Sequence, residues 1–338
     1  MLHSEITTWD EICAFARLHP EQIHSPFQSP EYGSLFLDYF ADQSKLLLLK
    51  IVTDATQEMV GYGMFEVSDR SLLLLGMRQV EAGQEITDYG DIVLASEDAA
   101  LWLKAWRAVI AYLTLSNSNK DFDRIQLDYV RSSSNTSHVL EQLSRTNAAI
   151  HLAATEQEIT SLVRLESIWE TYLSNLSHSH RKELKRKQRR LESIAHHITL
   201  HSEITAETID IFLALHRRSD PKKEQFMNQK MTRFFTALLQ KRTPPWKPAL
   251  HFLFIENAPA AALFTFENET QVLAYNSGHD PQFERFSPGF LLHAAVIRAA
   301  GTEGKIVYDL LRGREHYKRD LGAQPEFLQQ WIIQTHPE

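Results

Sequence analysis

The run from Phe290 to Leu311 constrains this chain more than any other stretch. Phe290 to Ala300 is almost wholly apolar and has the length of a helix, with Gly301 and Gly304 as its stop signal. Lys305 to Leu311 then reads as a strand buried on both faces, which requires helices on either side of its sheet. Inside that strand lies Asp309, a carboxylate that is costly to bury unless it is paired or used. Arg312, Glu315, Tyr317 and Lys318 follow closely, so one short segment holds five side chains able to move protons or hold charge. A buried Asp309–Arg312 ion pair fixing a loop is the plainer reading of the same residues.

The order of predicted elements occurs twice. Helices at Trp9–Leu18 and Tyr32–Phe40 precede a strand meander from Lys45 to Met77, a long helix at Ala99–Leu115, and strands at Ile125–Val130 and Ile150–Ala154. The second half opens with a helix predicted from Trp169 to Ser193 and a strand at Ile198–His201. Helices at Thr208–His216 and Met227–Gln240 and a meander from His251 to Asn276 follow. The apolar helix, the buried strand and a closing strand at Phe327–Ile333 complete it. At 338 residues the chain exceeds one comfortable core. The expectation is α/β with mixed sheets in two domains of similar design, 1–158 and 159–338, the second with a basic helix at 178–193.

A net charge of −8 argues against a surface that attracts nucleic acid throughout. Within it, Arg181 to Arg190 holds seven basic residues and one acidic residue in ten. Such density fits a docking face for a polyanion (nucleotide, tRNA, acidic polymer or lipid headgroups) or a solvated helix face, and it lacks aromatics for base stacking. Arg285-Phe286-Ser287-Pro288-Gly289-Phe290 precedes the apolar helix, and free N–H groups there would suit a phosphate. The one cysteine, Cys13, reads as a small core residue and fits a reducing, cytoplasmic setting. Neither a secretion signal nor a spanning segment is expected. The tightest histidine clusters, His178-Ser179-His180 and His196-His197, lack metal-ligand spacing, so no metal is expected. No P-loop, dinucleotide or nucleophile-elbow glycine pattern occurs.

Four pieces in order resemble one family. They are Trp169 to Ser177 with the basic helix, Tyr275-Asn276-Ser277-Gly278-His279-Asp280, Ser287-Pro288-Gly289 with its helix, and Asp309-x-x-Arg312-Gly313-x-Glu315-x-Tyr317-Lys318. Together they resemble the BioF2/CelD and FemAB-like branch of the GNAT superfamily over roughly residues 160–335, and Phe27 to Tyr32 looks like the start of that branch's first, degenerate domain.

The resemblance implies two tandem GNAT-like domains, the second transferring an acyl group from acyl-CoA (acetyl-CoA or longer) to a primary amine of a small molecule or polymer. It implies a cofactor loop here made of Tyr275, Asn276, Arg285, Ser287, Pro288, Gly289 and Phe290, lacking the glycine-rich spacing of typical members. Asp309 is the first choice for the base that takes the amine's proton and Glu315 the second, with Asp280 an outsider. Tyr317 would protonate the leaving group, and Arg312 and Lys318 would orient Asp309 or bind an acidic part of the substrate. A FemAB-like transferase using aminoacyl-tRNA, cradled by the basic helix, is the alternative, and a non-catalytic binding protein of the same fold is the third.

Overall fold

The computed structural model describes residues 1–40, 45–80, 83–115, 122–146 and 150–335. Chain contacts divide it into two units: Met1–Glu158 with Thr243–Pro245 and Glu326–Glu338, and Ile159–Arg242 with Trp246–Pro325. In the first unit β1 (Leu2–Ile6), α1 (Trp9–Leu18), α2 (Pro30–Tyr39), β2 (Leu46–Thr53), β3 (Met59–Ser68), β4 (Ser71–Leu74), β5 (Val93–Leu94), α3 (Ala99–Leu115), β6 (Arg124–Arg131) and α4 (Asn135–Thr146) follow in order. A long strand β7 (Ile150–Arg164) then crosses the unit boundary. Helix α1 starts where Thr8 and Glu11 form a reciprocal capping box, and α2 where Ser29 accepts from the Tyr32 N–H beside Pro30.

The second unit continues with α5 (Trp169–Asn175), α6 (His178–Glu192), β8 (His196–Ser202), α7 (Ala206–Arg218), α8 (Pro221–Phe226), α9 (Gln229–Gln240), β9 (Lys247–Ile255), β10 (Ala258–Glu267), β11 (Gln271–His279), α10 (Pro288–Thr302), β12 (Val307–Arg312) and α11 (His316–Asp320). Its strands lie in the order β7-β12-β11-β10-β9-β8, with β11 and β12 parallel and the other pairs antiparallel. Alternate residues of β10 serve two helical layers. Ala261 and Leu263 join the core beneath α5, α6 and α10, while Phe264 packs edge-on against Phe212 of α7 and Phe235 of α9. Among the described residues no helix is long and apolar enough to cross a membrane.

Three expectations change. The helix expected from Trp169 to Ser193 is two: Leu176 turns to extended backbone and is buried against Gly322, and Ser177 restarts the helix by capping the His180 N–H. Gly301 lies inside α10 rather than stopping it, because the Glu166 carbonyl comes so close that a Cβ would meet it at 2.3 Å. The final strand β13 (Gln324–Thr335), expected to close the second sheet, pairs antiparallel with β6, so residues 326–338 are counted with the first unit.

Candidate active site

Strands β11 and β12 pair over only three rungs: Gln271 with Val307, Val272 with Tyr308, and Leu273 with Asp309. Beyond these rungs both strands are irregular. In β11 the partners across β10 jump from Ala274 to Asn276, leaving Tyr275 as a bulge whose ring packs on Phe235, Phe264 and Phe266. In β12 Leu311 takes a left-handed φ of 56°, and pairing with β7 slips between Asp309 and Arg312. The strands therefore part at their carboxyl ends, the position at which α/β sheets bind ligands.

Asp309 holds this kink. It has no exposed surface, and its Oδ1 accepts from the Thr160 hydroxyl at 2.9 Å and the Leu311 N–H at 2.8 Å. That position removes it from reach of an incoming amine. Lys318, only 3% exposed, does not orient Asp309. Its Nζ donates to the carbonyls of Leu311, Arg312 and Gly313 at 3.1, 2.6 and 3.4 Å, tying down the loop after β12. The same ammonium holds the exposed Glu315 carboxylate at 3.0 Å. Arg312 ends β12 opposite Thr160. Asp280 caps the turn at Pro281–Phe286 through the Gln282 N–H and pairs with Arg218 at 3.1 Å, a structural role.

Helix α10 begins at one end of the opening. Ser287 is its N-cap residue but takes a left-handed conformation and makes no side-chain cap. Instead its hydroxyl accepts from Lys187 at 3.2 Å. The first intrahelical bond comes from the Leu291 N–H, so those of Gly289 and Phe290 precede it, and a Cβ on Gly289 would meet nothing within 4 Å. Lys187 lies 4.9 Å from the Phe290 ring centroid, and Arg190 donates to the Arg285 carbonyl at 2.8 Å. Basic helix α6 is thus docked beside the positive end of α10. Cations there are unfavourable by themselves and become favourable with an anion between them. Pro288 is buried at the first helical position.

Behind α10 lie His293, Tyr308 and Tyr317. The His293 Nδ1 is 2.7 Å from the Tyr308 hydroxyl, and its ring is 5.4 Å from that of Tyr317. Burial, then the Lys318 charge, lowers His293 to about 3, so it is neutral. Burial, then Glu315, raises Tyr317, so its phenol keeps its proton.

The facing wall was not read from the sequence. Lys223, on α8, donates to the Ser277 carbonyl at 2.6 Å; burial lowers its pKa, against the opposing charges of Asp220 and Glu315. His216 is buried and lowered to about 3 by burial and then by Lys223; its Nδ1 has no partner, while its ring also bonds the Asn276 side chain. His279 is lowered by burial and then by Lys223. Gly278 permits this wall, since a Cβ would lie 2.3 Å from the His216 nitrogen. The available signal was Asp220-Pro221, an N-cap before a first-turn proline, which would have revealed α8 and placed Lys223 on it.

Elsewhere the fold gathers His201, His251 and Glu267, whose ligand atoms lie within 4.8 Å of one another. Sequence separation concealed the group. The His201 N–H donates to His251 Nδ1 at 3.3 Å, which makes Nε2 the protonated nitrogen. That nitrogen faces Thr265 and Glu267 at 2.9 and 3.2 Å as a donor, not as a metal ligand. Cys13 is partly buried, and burial raises its pKa, the opposite of an activated thiol.

Residues 178–319 match the family model described as Acetyltransferase (GNAT) domain. Solved structures share the fold across both units. The C-terminal domain of a putative lysylphosphatidylglycerol synthetase from Agrobacterium fabrum is 10% identical with a TM-score of 0.56, covering 96% of this chain and 92% of its own. FemX is 10% identical with a TM-score of 0.55, covering 97% and 96%. A tandem GNAT protein from the clavulanic acid biosynthesis pathway is 10% identical with a TM-score of 0.51 and full coverage of both chains. No curated protein matches the sequence. Residues 178–319 thus match a GNAT domain, and the chain as a whole has the tandem GNAT fold that its sequence resemblance implied.

Proposed function

We propose that the second unit is an N-acyltransferase that moves an acyl group from acyl-CoA to a primary amine of a small molecule or polymer. The carrying observation is the coincidence of two features: strands that part after three rungs, and an uncapped helix N-terminus flanked by Lys187, Arg190 and Arg285. The donor's pyrophosphate would take the N–H groups of Gly289 and Phe290, with Ser287 and Pro288 shaping the turn. The carbon to be transferred would lie between Tyr275–Asn276 and the end of β12.

Of the two carboxylates proposed as base, Glu315 is the exposed one and the better placed to take the proton of an attacking amine. The amine nitrogen bonds to the thioester carbon and the C–S bond breaks. The amine's proton goes to Glu315, and the sulfur takes its proton from the Tyr317 hydroxyl. Backbone N–H groups at the end of β11 would hold the developing oxyanion, positioned by Lys223 on the Ser277 carbonyl. Arg312 ends β12 and Lys318 ties down the loop that follows it, and Asp309 acts through the kink it fixes. A cytoplasmic setting suits such a donor and the lone thiol.

The FemAB-like alternative, an aminoacyl-tRNA donor, would place a phosphate on the same cradle, and the fold shared with FemX favours it. Thermal unfolding with acetyl-CoA, a longer acyl-CoA and tRNA separates the readings. A ligand at a hundred times its dissociation constant adds about 2.7 kcal/mol. A shift with acyl-CoA and none with tRNA supports the proposal. Salt-sensitive stabilisation by tRNA alone selects the alternative, and no shift with either leaves a non-catalytic protein.

A further inference from the structure

The outer face of α6 takes no part in the site above. Lys182, Lys185 and Arg189 recur at helical spacing on one exposed stripe, opposite the buried Leu184 and Leu191. Among the described residues none of the three is paired with a carboxylate, whereas Arg186 is held by Glu183 at 2.6 Å. Beside this stripe a groove of about 550 Å³ runs between α6, α10 and β8. It exists because α10 presents Ala294, Ala295 and Ala299 to the larger Leu191, Ile198 and Trp169. Ile198 is 37% exposed, and Ile168, next to Trp169, is 59% exposed. At the same rim Arg298 lies 5.8 Å from the Trp169 ring centroid.

A cation stripe alone would suit any polyanion, and an apolar groove alone would suit many partners. Their adjacency narrows the choice. A nucleic acid would engage the stripe but has no use for a groove whose apolar part is Leu191, Ile198, Leu200 and Leu291 and whose rim carries Glu192 and Glu303, and the stripe itself offers no ring for stacking. A phospholipid of negative charge matches both halves, with phosphates for lysines and arginines and a chain for the groove. Tryptophan at such a boundary, with one polar edge and one apolar face, is what a bilayer interface favours.

We infer that the α6–α10 face docks the second unit on an anionic bilayer, seating one acyl chain in the groove and pairing headgroup phosphates with Lys182, Lys185 and Arg189. The inference is independent of the acyl-transfer reading and is tested without it.

The full chain is sedimented with phosphatidylcholine vesicles, with and without phosphatidylglycerol, at low and high salt. Binding is expected only with phosphatidylglycerol and weaker in salt. Lys182→Glu/Lys185→Glu/Arg189→Glu should lower partitioning about a hundredfold, since each lost surface cation is worth roughly fivefold. Chains brominated near their ends should quench Trp169, read as the difference from Trp169→Phe. Ala295→Leu/Ala299→Leu, which fills the groove, should abolish that quenching while the charge-driven binding stays. If the filled variant does not fold, Ile198→Asp at the exposed rim makes the same test. Three results overturn the inference: no preference for phosphatidylglycerol, binding that the charge reversal leaves intact, or bound protein whose Trp169 is not quenched. Retention of total tRNA through the same three cations, without vesicle binding, also overturns it and assigns the stripe to nucleic acid.

Discussion

Helices α3 and α10 follow the same local topology and end differently. Each lies between strands in a three-rung parallel pair: β4 with β6 in the first unit, β11 with β12 in the second. At the start of α3 the Asp98 carboxylate accepts from the Leu101 N–H at 3.0 Å. Glu97 beside it is held by His24 at 2.7 Å. The first helix thus supplies its own anions, whereas α10 leaves its first N–H groups uncapped beside Lys187. The strand ends differ likewise. Asp128 on β6 accepts from Gln126, Gln157 and Gln330 at 2.8, 2.9 and 2.7 Å, so its carboxylate is satisfied by the chain's own amides. One fold used twice makes a site only where the helix end and the strand ends are left unsatisfied by the chain itself.

The largest expected effect concerns the kink that opens β12. Asp309→Ala leaves the Thr160 hydroxyl and the Leu311 N–H buried without their acceptor. It should cost about 3 kcal/mol in urea unfolding, in line with one to three for each buried polar group orphaned. A loss below 1 kcal/mol would mean the kink is held by something else. Next, Gly289→Asp makes α10 imitate α3 by placing a carboxylate at its N-terminus. Stabilisation by a saturating acyl-CoA, about 2.7 kcal/mol for the native chain, should vanish while the unliganded protein unfolds normally. A retained shift would locate the donor elsewhere.

The third prediction uses His216 and His293. Each titrates near 3 in the fold, below the ordinary histidine value of about 6.5. A depressed imidazole is protonated first in the unfolded chain, so stability falls as pH drops through the window from about 6.5 to 3. Between pH 7 and 5 each should cost about 2 kcal/mol, and His293→Gln should flatten the urea-midpoint profile. A profile unchanged by that substitution would place the sensitivity elsewhere. The pair His201 and Glu267 acts in another direction at higher pH. Glu267 raises His201, so its contribution is complete below about 6.5 and fades as pH rises through the raised value. The smallest effect is at α3: Asp98→Ala removes a cap and should cost about 1 kcal/mol without creating a ligand site. An acyl-CoA-dependent shift in unfolding that appears only in this variant would show the first unit to be closed by that one carboxylate.

Much of the fold was legible because it rests on local pattern. The apolar run of α10, the two-sided burial of β12 and the repeated element order are periodicities that a sequence carries directly. The family resemblance rests on short motifs in order, which the fold places at the start of α10 (Ser287 to Phe290) and just after β12 (Glu315 to Lys318). What single residues do there was not legible. Asp309 and Lys318 look catalytic in a string of ionisable groups, yet one is sealed against Thr160 and Leu311 and the other grips three carbonyls. Lys223 and His216 were invisible as site residues, because they come from helices far from β11 in sequence and meet it only because Gly278 lets α7 approach.

The sequence by itself determined the architecture and the class, since periodic burial and ordered motifs are properties of neighbouring residues. Tertiary structure alone decided which charges are used. Burial, a carbonyl within 3 Å or a helix dipole changes what a carboxylate, an ammonium or an imidazole can do, and none of these is written next to it in the chain. The basic run at Arg181–Arg190 shows both limits. Its charge is plain in the sequence, and only packing divides it into an inner edge that faces the start of α10 and an outer stripe, Lys182, Lys185 and Arg189, that stays exposed.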